Sequence, residues 1–453
     1  MSRANLAWLL GIPAVAFLGI SLAISAPKRD KDYELIGLVV DVLNEVDHKY
    51  VRELDADTKR RLVEDMINGG LERLDPHSNF INAKEYKQFN HVSEGEFGGI
   101  GIQISTDRLT GQLIVISPMV GTPAYEAGVL AGDLIVKING KPTENMRLSE
   151  AVELIQGEPG EKITLTVLHE GTRKPADLEM TRAKIEVQSV LGDVRKADNP
   201  KEWEYVVDKE NKIGYIRLVA FHKNTAGDLR KVVEQLQKDG IRGMVLDLRN
   251  NPGGLLKSAV AVSDLFLVGG RIVSTSGRNK QEEVYDAEEA GTLLVPAKNY
   301  PMTVLINKYS ASASEIVAAA LQDNNRAVIV GERSYGKGSV QNVIEMENRT
   351  SALKLTTALY TRPNGHNIHR FPDSKDSDEW GVKPSPGFEV PLALEERYQF
   401  GVWRQDRDIV HGKSGGSTAT NPKPDKNGKE KKPFEDKVLK RALEYLRGEI
   451  KKT

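Results

Sequence analysis

The 453-residue chain contains no cysteine, and its positive and negative side chains are almost equal in number. Without thiols the protein has no cysteine nucleophile, no disulfide and no thiolate metal ligand, and this absence fits both reducing and oxidising compartments. Lysine and arginine total 63 against 64 aspartate and glutamate, which gives a net charge of -1. That balance offers no general attraction to nucleic acid or to anionic membranes, so no nucleic-acid partner is expected.

One long apolar run lies at the start of the chain. Residues 4–26 carry no charged side chain and follow a single basic residue, Arg3. Such a run is typical of an export signal or a membrane anchor, here within residues 1–27. The residues around Ser25 and Ala26 make mediocre cleavage sites, which favours an uncleaved anchor. We therefore expect an extracytoplasmic protein on the periplasmic side, membrane-anchored through its N-terminal segment or, if cleaved, secreted.

Composition and periodicity divide the rest of the chain into five segments. Apolar residues at helical spacing predict an N-terminal helical arm, short alternating strands predict a mostly β domain, and alternating strands and helices predict an α/β core. A low-complexity stretch predicts a disordered linker before a last amphipathic helix. The boundaries are 28–94 for the arm, 95–185 for the β domain, 186–410 for the core, 411–432 for the linker and 433–453 for the last helix.

The stretch GERSYGKGS resembles a phosphate-binding loop, because Gly331, Gly336 and Lys337 have the required spacing. Gly338, however, stands where such a loop needs a hydroxyl for Mg²⁺. The following SVQNVIEM alternates like a strand and does not open a helix. The pattern therefore disfavours nucleotide binding, and no cofactor is expected. A glycine-rich turn with a solvated lysine is the plain alternative.

A serine-rich stretch, SASAS, joins a predicted strand to a predicted helix. The N-terminus of a helix favours the negative charge that develops when a hydroxyl attacks a carbonyl group. Serine at such a junction is more often an N-cap, and the spacing does not choose among Ser310, Ser312 and Ser314. None of the eight histidines lies in a motif near this stretch. Lys337 can act as a base only if burial lowers its pKa.

Together these stretches resemble the C-terminal processing peptidases, or tail-specific proteases, which are serine proteases with a Ser-Lys dyad. The likeness covers nearly the whole chain after the apolar run and rests on YVRELD, LDPHSNF, LDLRNNPGGLL, SASASEIVAAALQDNNRAVIVGE and GKGSVQ. It implies an α/β protease core with an inserted PDZ domain and an N-terminal helical arm. It also implies Ser312 as nucleophile, Lys337 as general base and Gln341 as the residue that orients the lysine. Asp323 occupies a position where some members have a third charged partner.

The resemblance also implies an oxyanion hole. Its donors are the amide of Ala313 and an amide of the NPGG turn, where the resemblance favours Gly254 over Gly253. Two positions depart from the family's pattern. Tyr309 stands where glycine is frequent, which narrows the approach to the nucleophile. Gln156 stands where many members have arginine, which puts in doubt how the PDZ domain is coupled to the protease.

Segment 95–185 resembles a PDZ domain on the strength of EFGGIGIQI and AYEAGVLAGDLIVKINGKP. A PDZ domain holds an extended peptide as an added strand, while loop amides receive the terminal carboxylate. The peptide-binding residues are then Gly98, Gly99, Ile100 and Gly101. Expected partners are protein substrates held by their C-terminal tails. A small β domain that serves only for packing is the alternative.

Three further questions stay open at the level of sequence. A PDZ scaffold with a degenerate protease fold is disfavoured, because the dyad residues and the NPGG turn are intact. His366 and His369 stand three apart, but no third ligand is placed, so no metal site is expected. The N-terminal arm and the last helix either form a homodimer, as resemblance to dimeric relatives implies, or pack on their own domain.

Overall fold

The computed structural model describes residues 31–107, 110–278, 280–410 and 434–452. These residues divide into two units, which meet in sequence between Gly70 and Leu71. The apolar run at 4–26 and the predicted linker at 411–432 lie outside the described residues. Of the helices within the described ranges, none combines the length and the apolar character needed to cross a membrane.

The first unit contains two helices, α1 (Lys31–Lys49) and α2 (Ala56–Glu72), the second of which ends two residues beyond the unit's boundary. An ion pair between Lys59 and Asp47 links them. The helical part of the predicted arm is thus confirmed. Several apolar side chains of α1 that give it its helical periodicity are nevertheless exposed, namely Leu35, Ile36, Leu38, Val39, Val40 and Val42.

The second unit begins with the LDPHSNF turn, which leads into strand β1 (Asn79–Ile81) and helix α3 (Ala83–Glu94). The side chain of Asn82 caps this helix by accepting a hydrogen bond from the amide of Glu85. Gly95 ends it in the left-handed conformation, with φ at 77°. A glycine suits this position because its φ is positive.

A mostly β domain with a hydrophobic core of its own follows α3. Strand β7 shows why it folds, because buried Ile163, Leu165 and Val167 alternate with half-buried residues. The sheet order is β3-β4-β5-β7-β8, with β6 beside β5, and β2 pairs separately with β9. The elements are β2 (Glu96–Gly99), β3 (Ile102–Thr106), β4 (Leu113–Pro118), α4 (Pro123–Glu126), β5 (Leu134–Ile138), β6 (Lys141–Pro142), α5 (Leu148–Ile155), β7 (Lys162–Leu168), β8 (Ala176–Thr181) and β9 (Ala183–Glu186).

Strands and helices alternate through the remainder, as the sequence predicts. Two short 3₁₀ turns, at Ala297–Asn299 and Glu347–Arg349, interrupt it. The elements are β10 (Val190–Leu191), β11 (Val194–Arg195), β12 (Trp203–Glu204), β13 (Val206–Asp208), β14 (Ile213–Leu218), α6 (Thr225–Lys238), β15 (Gly243–Asp247), α7 (Leu256–Asp264), β16 (Arg271–Gly277), β17 (Lys280–Asp286), β18 (Met302–Ile306), α8 (Ala313–Asp323), β19 (Val328–Gly331), β20 (Ser339–Met346), β21 (Ser351–Thr361), α9 (Leu394–Asp408) and α10 (Lys437–Ile450).

Two sheets form the α/β core. In the first, β14, β15, β18 and β19 run parallel, and β10 and β13 pair with β14. One face of it packs on α6, α7 and α8, and the other face packs on α10. The second sheet is antiparallel, in the order β1-β21-β16-β17 with β20 beside β21. The α/β core, the PDZ-like domain and the N-terminal helices agree with the fold that the sequence predicts.

A buried ion pair ties the last helix to the end of strand β15. Arg249 donates bidentate hydrogen bonds to Asp436, at 2.9 and 2.8 Å, and also to Asp247. Asp436 at the same time caps α10 by accepting hydrogen bonds from the amides of Val438 and Leu439. The side chains of Arg249 and Asp436 are 2% and 7% exposed. The end of the chain is therefore part of the protease core.

We predict that Asp436→Ala lowers the free energy of unfolding by about 3 kcal/mol, because it removes one of the two buried carboxylates that pair with Arg249 and also the side-chain cap of α10. The measurement is urea-induced unfolding followed by circular dichroism. The neighbouring exposed pair of Glu435 and Lys440 supplies the control. Glu435→Ala should change the free energy by less than about 1 kcal/mol. Equal effects of the two variants would contradict this account.

Candidate active site

Three loops meet at one edge of the parallel sheet. They follow β15, β18 and β19 and span residues 248–255, 307–312 and 332–338. These strands are parallel neighbours, so their carboxyl ends lie together, which is where open α/β sheets place their sites. The loops carry NPGG, SASAS and GERSYGKGS respectively.

Ser312 lies at the turn between β18 and α8, and its backbone is strained there. Its φ of 55° and ψ of -114° belong to a region that non-glycine residues rarely adopt, at a cost of order 1–3 kcal/mol. Such strain is characteristic of a nucleophile held on a sharp strand-to-helix turn. The residue is 8% exposed.

The three serines of SASAS have different hydrogen-bond partners. Ser310 Oγ donates to the carbonyl oxygen of Leu248 at 2.8 Å, and Ser314 Oγ donates to that of Asn251 at 2.9 Å. Both hydroxyls thus hold SASAS against the loop after β15. Among the described residues, Ser312 Oγ donates to no backbone carbonyl group, and Ser312 forms a capping box with Glu315 at the start of α8. It is therefore the one hydroxyl of the three that is not committed to the loop after β15.

The NPGG turn packs directly against Ser312. A Cβ atom on Gly253, whose φ is 104°, would lie 2.9 Å from Ser312 Cβ and 3.0 Å from the amide nitrogen of Ala313. A Cβ atom on Gly254 would lie 2.3 Å from the carbonyl oxygen of Phe221. Only glycine fits both positions, so the turn depends on them.

Two amides at this contact have no hydrogen-bond acceptor. Gly253 N is occupied, since it donates to Asn251 Oδ1 at 2.9 Å. Across the part of the chain that the structure describes, neither Gly254 N nor Ala313 N donates a hydrogen bond. Unpaired amides beside a serine hydroxyl are the donors that an oxyanion requires. Of the two turn glycines, Gly254 is thus the one whose amide is unpaired, and its role as an oxyanion donor stays a prediction.

A fully buried carboxylate joins the nucleophile to the lysine loop. Glu315 Oε2 accepts hydrogen bonds from the amides of Ser312 and Lys337, both at 2.8 Å. Its Oε1 accepts from Ser334 Oγ and from the amide of Gly336, both at 2.6 Å. Burial raises the pKa of Glu315, and the four donors act in the opposite direction. Sequence reasoning missed this residue, although it lies within the quoted SASASE.

Lys337 is half-buried, and its side-chain amine is not hydrogen-bonded to Ser312 or Gln341 in the described part of the chain. Burial, together with nearby Lys354, lowers its pKa below the usual 10.5 of lysine, whereas Glu315 and Asp75 act in the opposite direction. Among the described residues no hydrogen bond joins Lys337 Nζ to Ser312 Oγ or to Gln341. Gln341 Nε2 donates instead to Ser339 Oγ at 2.9 Å and Thr356 Oγ1 at 3.2 Å.

Tyr360 is a second residue that sequence reasoning missed. It lies on β21, is 4% exposed, and donates its amide to the carbonyl oxygen of Gly338 at 2.7 Å. Burial raises the pKa of its hydroxyl to about 12, and a hydrogen bond with Ser312 acts in the opposite direction. Tyr360 therefore stays neutral beside the nucleophile. Alternating residues in a strand give no signal of such proximity.

Asp323 lies away from this cluster. It occupies the last position of the 11-residue helix α8, about 16 Å along the helix axis from its start. Its carboxylate pairs with Arg362, at 2.6 Å from Nη2 and 2.9 Å from Nε. Asn364 also donates to it. The structure thus does not bring Asp323 together with Ser312 or Lys337.

Potential metal ligands come together at one place among the described residues. His91, Glu94 and Glu96 are the one set of three whose ligand atoms lie within 4.8 Å of one another. Glu96 also forms an ion pair with Lys184, which competes with a cation. The set lies at the end of α3, and neither His366 nor His369 belongs to it.

The PDZ-like domain presents a loop with free amides. Gly98 and Gly99 lie in β2 and pair with β9, while Ile100 and Gly101 follow the strand. Ile100 and Gly101 accept hydrogen bonds through their carbonyl groups, from Ala124 and Met119. Their own amides donate none within the described residues. They can therefore receive a carboxylate.

Helix α3 connects this domain to the protease core. Towards the domain, it forms ion pairs from Lys84 to Glu153 and from Lys87 to Glu158, and Gln88 donates to Gln156 at 3.5 Å. Towards the core, Tyr86 packs with Ile81 and Ala352. Gln156 thus lies at the contact between this domain and helix α3.

The chain matches two protein-family models and is similar to curated proteins and to a solved structure. Residues 212–378 match the family model described as Peptidase family S41, and residues 114–168 match the PDZ domain. The carboxy-terminal-processing protease of Bartonella bacilliformis is 38% identical over 96% of this chain and 95% of its own. The carboxy-terminal processing protease CtpA of Bacillus subtilis is 33% identical over 83% of this chain and 72% of its own. The solved photosystem II D1 C-terminal processing protease is 28% identical, with 78% of this chain and 88% of its own covered at a TM-score of 0.43.

We predict that Ser312→Ala abolishes cleavage of an unfolded protein, because a nucleophile has no substitute. Ser310→Ala and Ser314→Ala should keep measurable turnover. Each should lower the free energy of unfolding by about 1–3 kcal/mol, because a buried hydrogen bond is lost.

Gel-based cleavage assays and urea unfolding of the three variants provide the measurement. The assignment fails if Ser312→Ala retains activity while Ser310→Ala or Ser314→Ala, correctly folded, has none.

Proposed function

The chain belongs to the carboxy-terminal-processing proteases of peptidase family S41 and carries a PDZ domain, and from this premise we propose that it is an endopeptidase with a Ser312–Lys337 dyad. One observation carries the proposal. The carboxylate of Glu315 accepts hydrogen bonds from the amides of both residues, so nucleophile and base belong to one rigid assembly. The substrate bond lies near the C-terminus of a protein. No cofactor takes part in the proposed reaction.

In the acylation step, Ser312 Oγ forms a bond to the carbonyl carbon of the substrate and gives its proton to neutral Lys337 Nζ. The amides of Ala313 and Gly254 donate to the resulting oxyanion. When the C–N bond breaks, the lysine returns the proton to the leaving amine, and an acyl-enzyme remains. Water then attacks the acyl-enzyme with Lys337 again as base, and carboxylate and free serine result.

The lysine must be neutral and must reach the serine. Its lowered pKa supports the first requirement. The second requires a change of side-chain rotamer, since Nζ makes no hydrogen bond with Ser312 among the described residues. We propose that Gln341 exchanges its contact with Thr356 for one with the lysine amine in that rotamer. The described conformation is then a resting one.

The PDZ domain recruits substrate tails in this proposal. Free amides at Ile100 and Gly101 receive the terminal carboxylate, and strand β3 receives the preceding residues as an added strand. Gly98 and Gly99 shape the approach, because a Cβ atom on Gly98 would lie 2.2 Å from the carbonyl oxygen of Gly157. Helix α3 then transmits tail binding to the core through its contacts with both.

Location and assembly are proposals as well. We propose that the apolar run at 4–26 places the protease outside the cytoplasm, either as an anchor or as a signal, which its lack of charged residues supports. We also propose a homodimer. The exposed apolar side chains of α1, such as Leu35 and Leu38, support pairing between two copies.

We predict that Lys337→Arg is as inactive as Lys337→Ala. Arginine keeps the positive charge but cannot lose a proton near neutral pH, so it cannot be a general base. For the wild type, kcat/KM should rise with pH as the lysine loses its proton. Because its pKa is lowered, the plateau should be reached below pH 10.5.

Single-turnover cleavage across pH measures the activity of the Lys337 variants and the pH dependence of the wild type. Labelling by a serine-reactive phosphonate reports whether the serine is reactive. Lys337→Arg that cleaves at a wild-type rate would disprove the dyad. Wild type that neither cleaves nor reacts with the phosphonate would favour a PDZ scaffold with an inactive protease fold.

We predict further that cleavage depends on a free substrate C-terminus, because amidation removes the terminal carboxylate that the amides of the PDZ domain bind. Steady-state kinetics on matched free-acid and amidated substrates should show a higher KM for the amide. Gln156→Arg should enlarge the difference, because an arginine at this junction forms charge-assisted hydrogen bonds about twice as strong as those of the amide side chain. Equal kcat/KM for acid and amide would refute tail reading.

A further inference from the structure

A cavity of about 570 Å³ lies beside Lys337, and cations dominate its charged lining. Lys308, Arg333 and Arg370 line it together with Lys337, whereas Asp75 is the one acid of the lining. The surrounding acids Asp376, Asp378 and Glu379 do not line it. The cavity therefore has an excess of positive charge where it opens next to the proposed base.

The single acid of the lining is already engaged. Asp75 Oδ1 accepts from the amide of His77 at 2.8 Å and from Thr356 Oγ1 at 3.0 Å, and its Oδ2 accepts from Ser78 Oγ at 2.6 Å. Burial lowers the pKa of His77 and of His369, so both lining histidines are mostly neutral near pH 7. Asp75 therefore contributes one negative charge and the histidines contribute none, so the positive side chains of Lys308, Arg333 and Arg370 remain in excess.

Arg333 and Arg370 both contact the ring of Trp380. Their guanidinium carbons lie 3.4 and 4.4 Å from the centroid of the indole ring. The N–H groups of Arg333 donate to the backbone carbonyl groups of Asp376, Asp378 and Trp380. Arg333 therefore stabilises the segment that lines the cavity. Arg370 is fixed in place by stacking, yet its N–H groups are still available.

Arg370 is held close to the lysine loop. Its amide donates to the carbonyl oxygen of Gly336 at 2.8 Å, and a Cβ atom on Gly336 would lie 2.8 Å from Arg370 Cβ. Its one ion pair, with Asp376 at 3.4 Å, is weak because that carboxylate is 91% exposed. A planar guanidinium with free N–H groups suits a carboxylate.

Lys308 also lines the cavity. It precedes SASAS, and that loop is joined to the lysine loop by a hydrogen bond from the amide of Tyr335 to the carbonyl oxygen of Ser310, at 3.0 Å. In the described ranges of the chain Lys308 makes no ion pair, and its Nζ lies 5.1 Å from the ring of Tyr309. Two cations thus face one cavity without an acidic partner inside it.

We propose that this cavity is a substrate subsite that binds a carboxylate of the peptide, with Arg370 as its principal ligand and Lys308 as the second. The inference rests on the proposed peptidase function and specifies its substrate class. The carboxylate is either an aspartate or glutamate side chain near the scissile bond or the α-carboxylate of a short leaving fragment. Bound there, it sets the position of the chain relative to Ser312.

Two sets of peptides distinguish these sources. In the first set every peptide is amidated at its end, and glutamate replaces glutamine at one position at a time across the scissile bond. In the second, glutamine peptides with one to three residues after the scissile bond carry a free acid or an amide. The readout is the ratio of kcat/KM for the charged peptide to that for its neutral match.

For the wild type we expect kcat/KM to be about 10 times higher for the charged peptide than for its neutral match, at one peptide position in one of the two sets. This ratio should fall with added salt. Arg370→Gln should lower this ratio to a value close to 1. Lys308→Gln should lower it to about halfway between the wild-type ratio and 1. Arg370→Lys should keep part of it, because a charge remains. Lys231→Gln, which removes an exposed cation on α6, is the matched control and should leave the ratio unchanged.

Ratios near 1 throughout both sets, in a wild type that cleaves, would overturn the subsite and leave the peptidase proposal intact. So would a ratio that survives Arg370→Gln or falls equally in Lys231→Gln. A wild type that cleaves no peptide or protein and does not react with a serine-directed phosphonate would overturn the peptidase proposal and, with it, the subsite.

Discussion

The catalytic arrangement depends on the buried carboxylate of Glu315. A charge in that position is tolerable only when its oxygens are fully hydrogen-bonded, and four donors meet it. One donor belongs to the nucleophile, and three belong to the loop that carries the lysine. The start of α8 and the loop after β19 therefore cannot move independently, and the strained backbone of Ser312 is held from one side by this contact.

The other side is held by the loop after β15. Ser310 and Ser314 both donate to carbonyl oxygens of that loop, and Gly253 lies against Ser312. Two serines of SASAS thus hold the stretch against that loop, whereas the hydroxyl of Ser312 is not committed to it. The parallel sheet makes this possible, because neighbouring strands deliver all three loops to one edge. Backbone amides, rather than flexible side chains, then point at the reacting carbonyl group.

Much of the fold follows from local patterns in the sequence. Alternating apolar residues and paired glycines mark the PDZ-like domain, and alternating strands and helices mark the core. The choice among the three serines did not follow, because it depends on carbonyl groups about 60 residues away. Glu315 is one of 64 acidic residues, and what distinguishes it is that its buried carboxylate meets the amides of both Ser312 and Lys337. The lowered pKa of Lys337 likewise depends on packing, which no local pattern encodes.

The ion pair between Arg249 and Asp436 joins residues 187 positions apart. Because synthesis runs from the N-terminus, SASAS and Lys337 leave the ribosome about a hundred residues before α10 does. Until then Arg249 lacks its second partner, and one face of the central sheet has no helix to cover it. The packing around the parallel sheet can therefore be completed only once α10 has been synthesised, well after SASAS and Lys337.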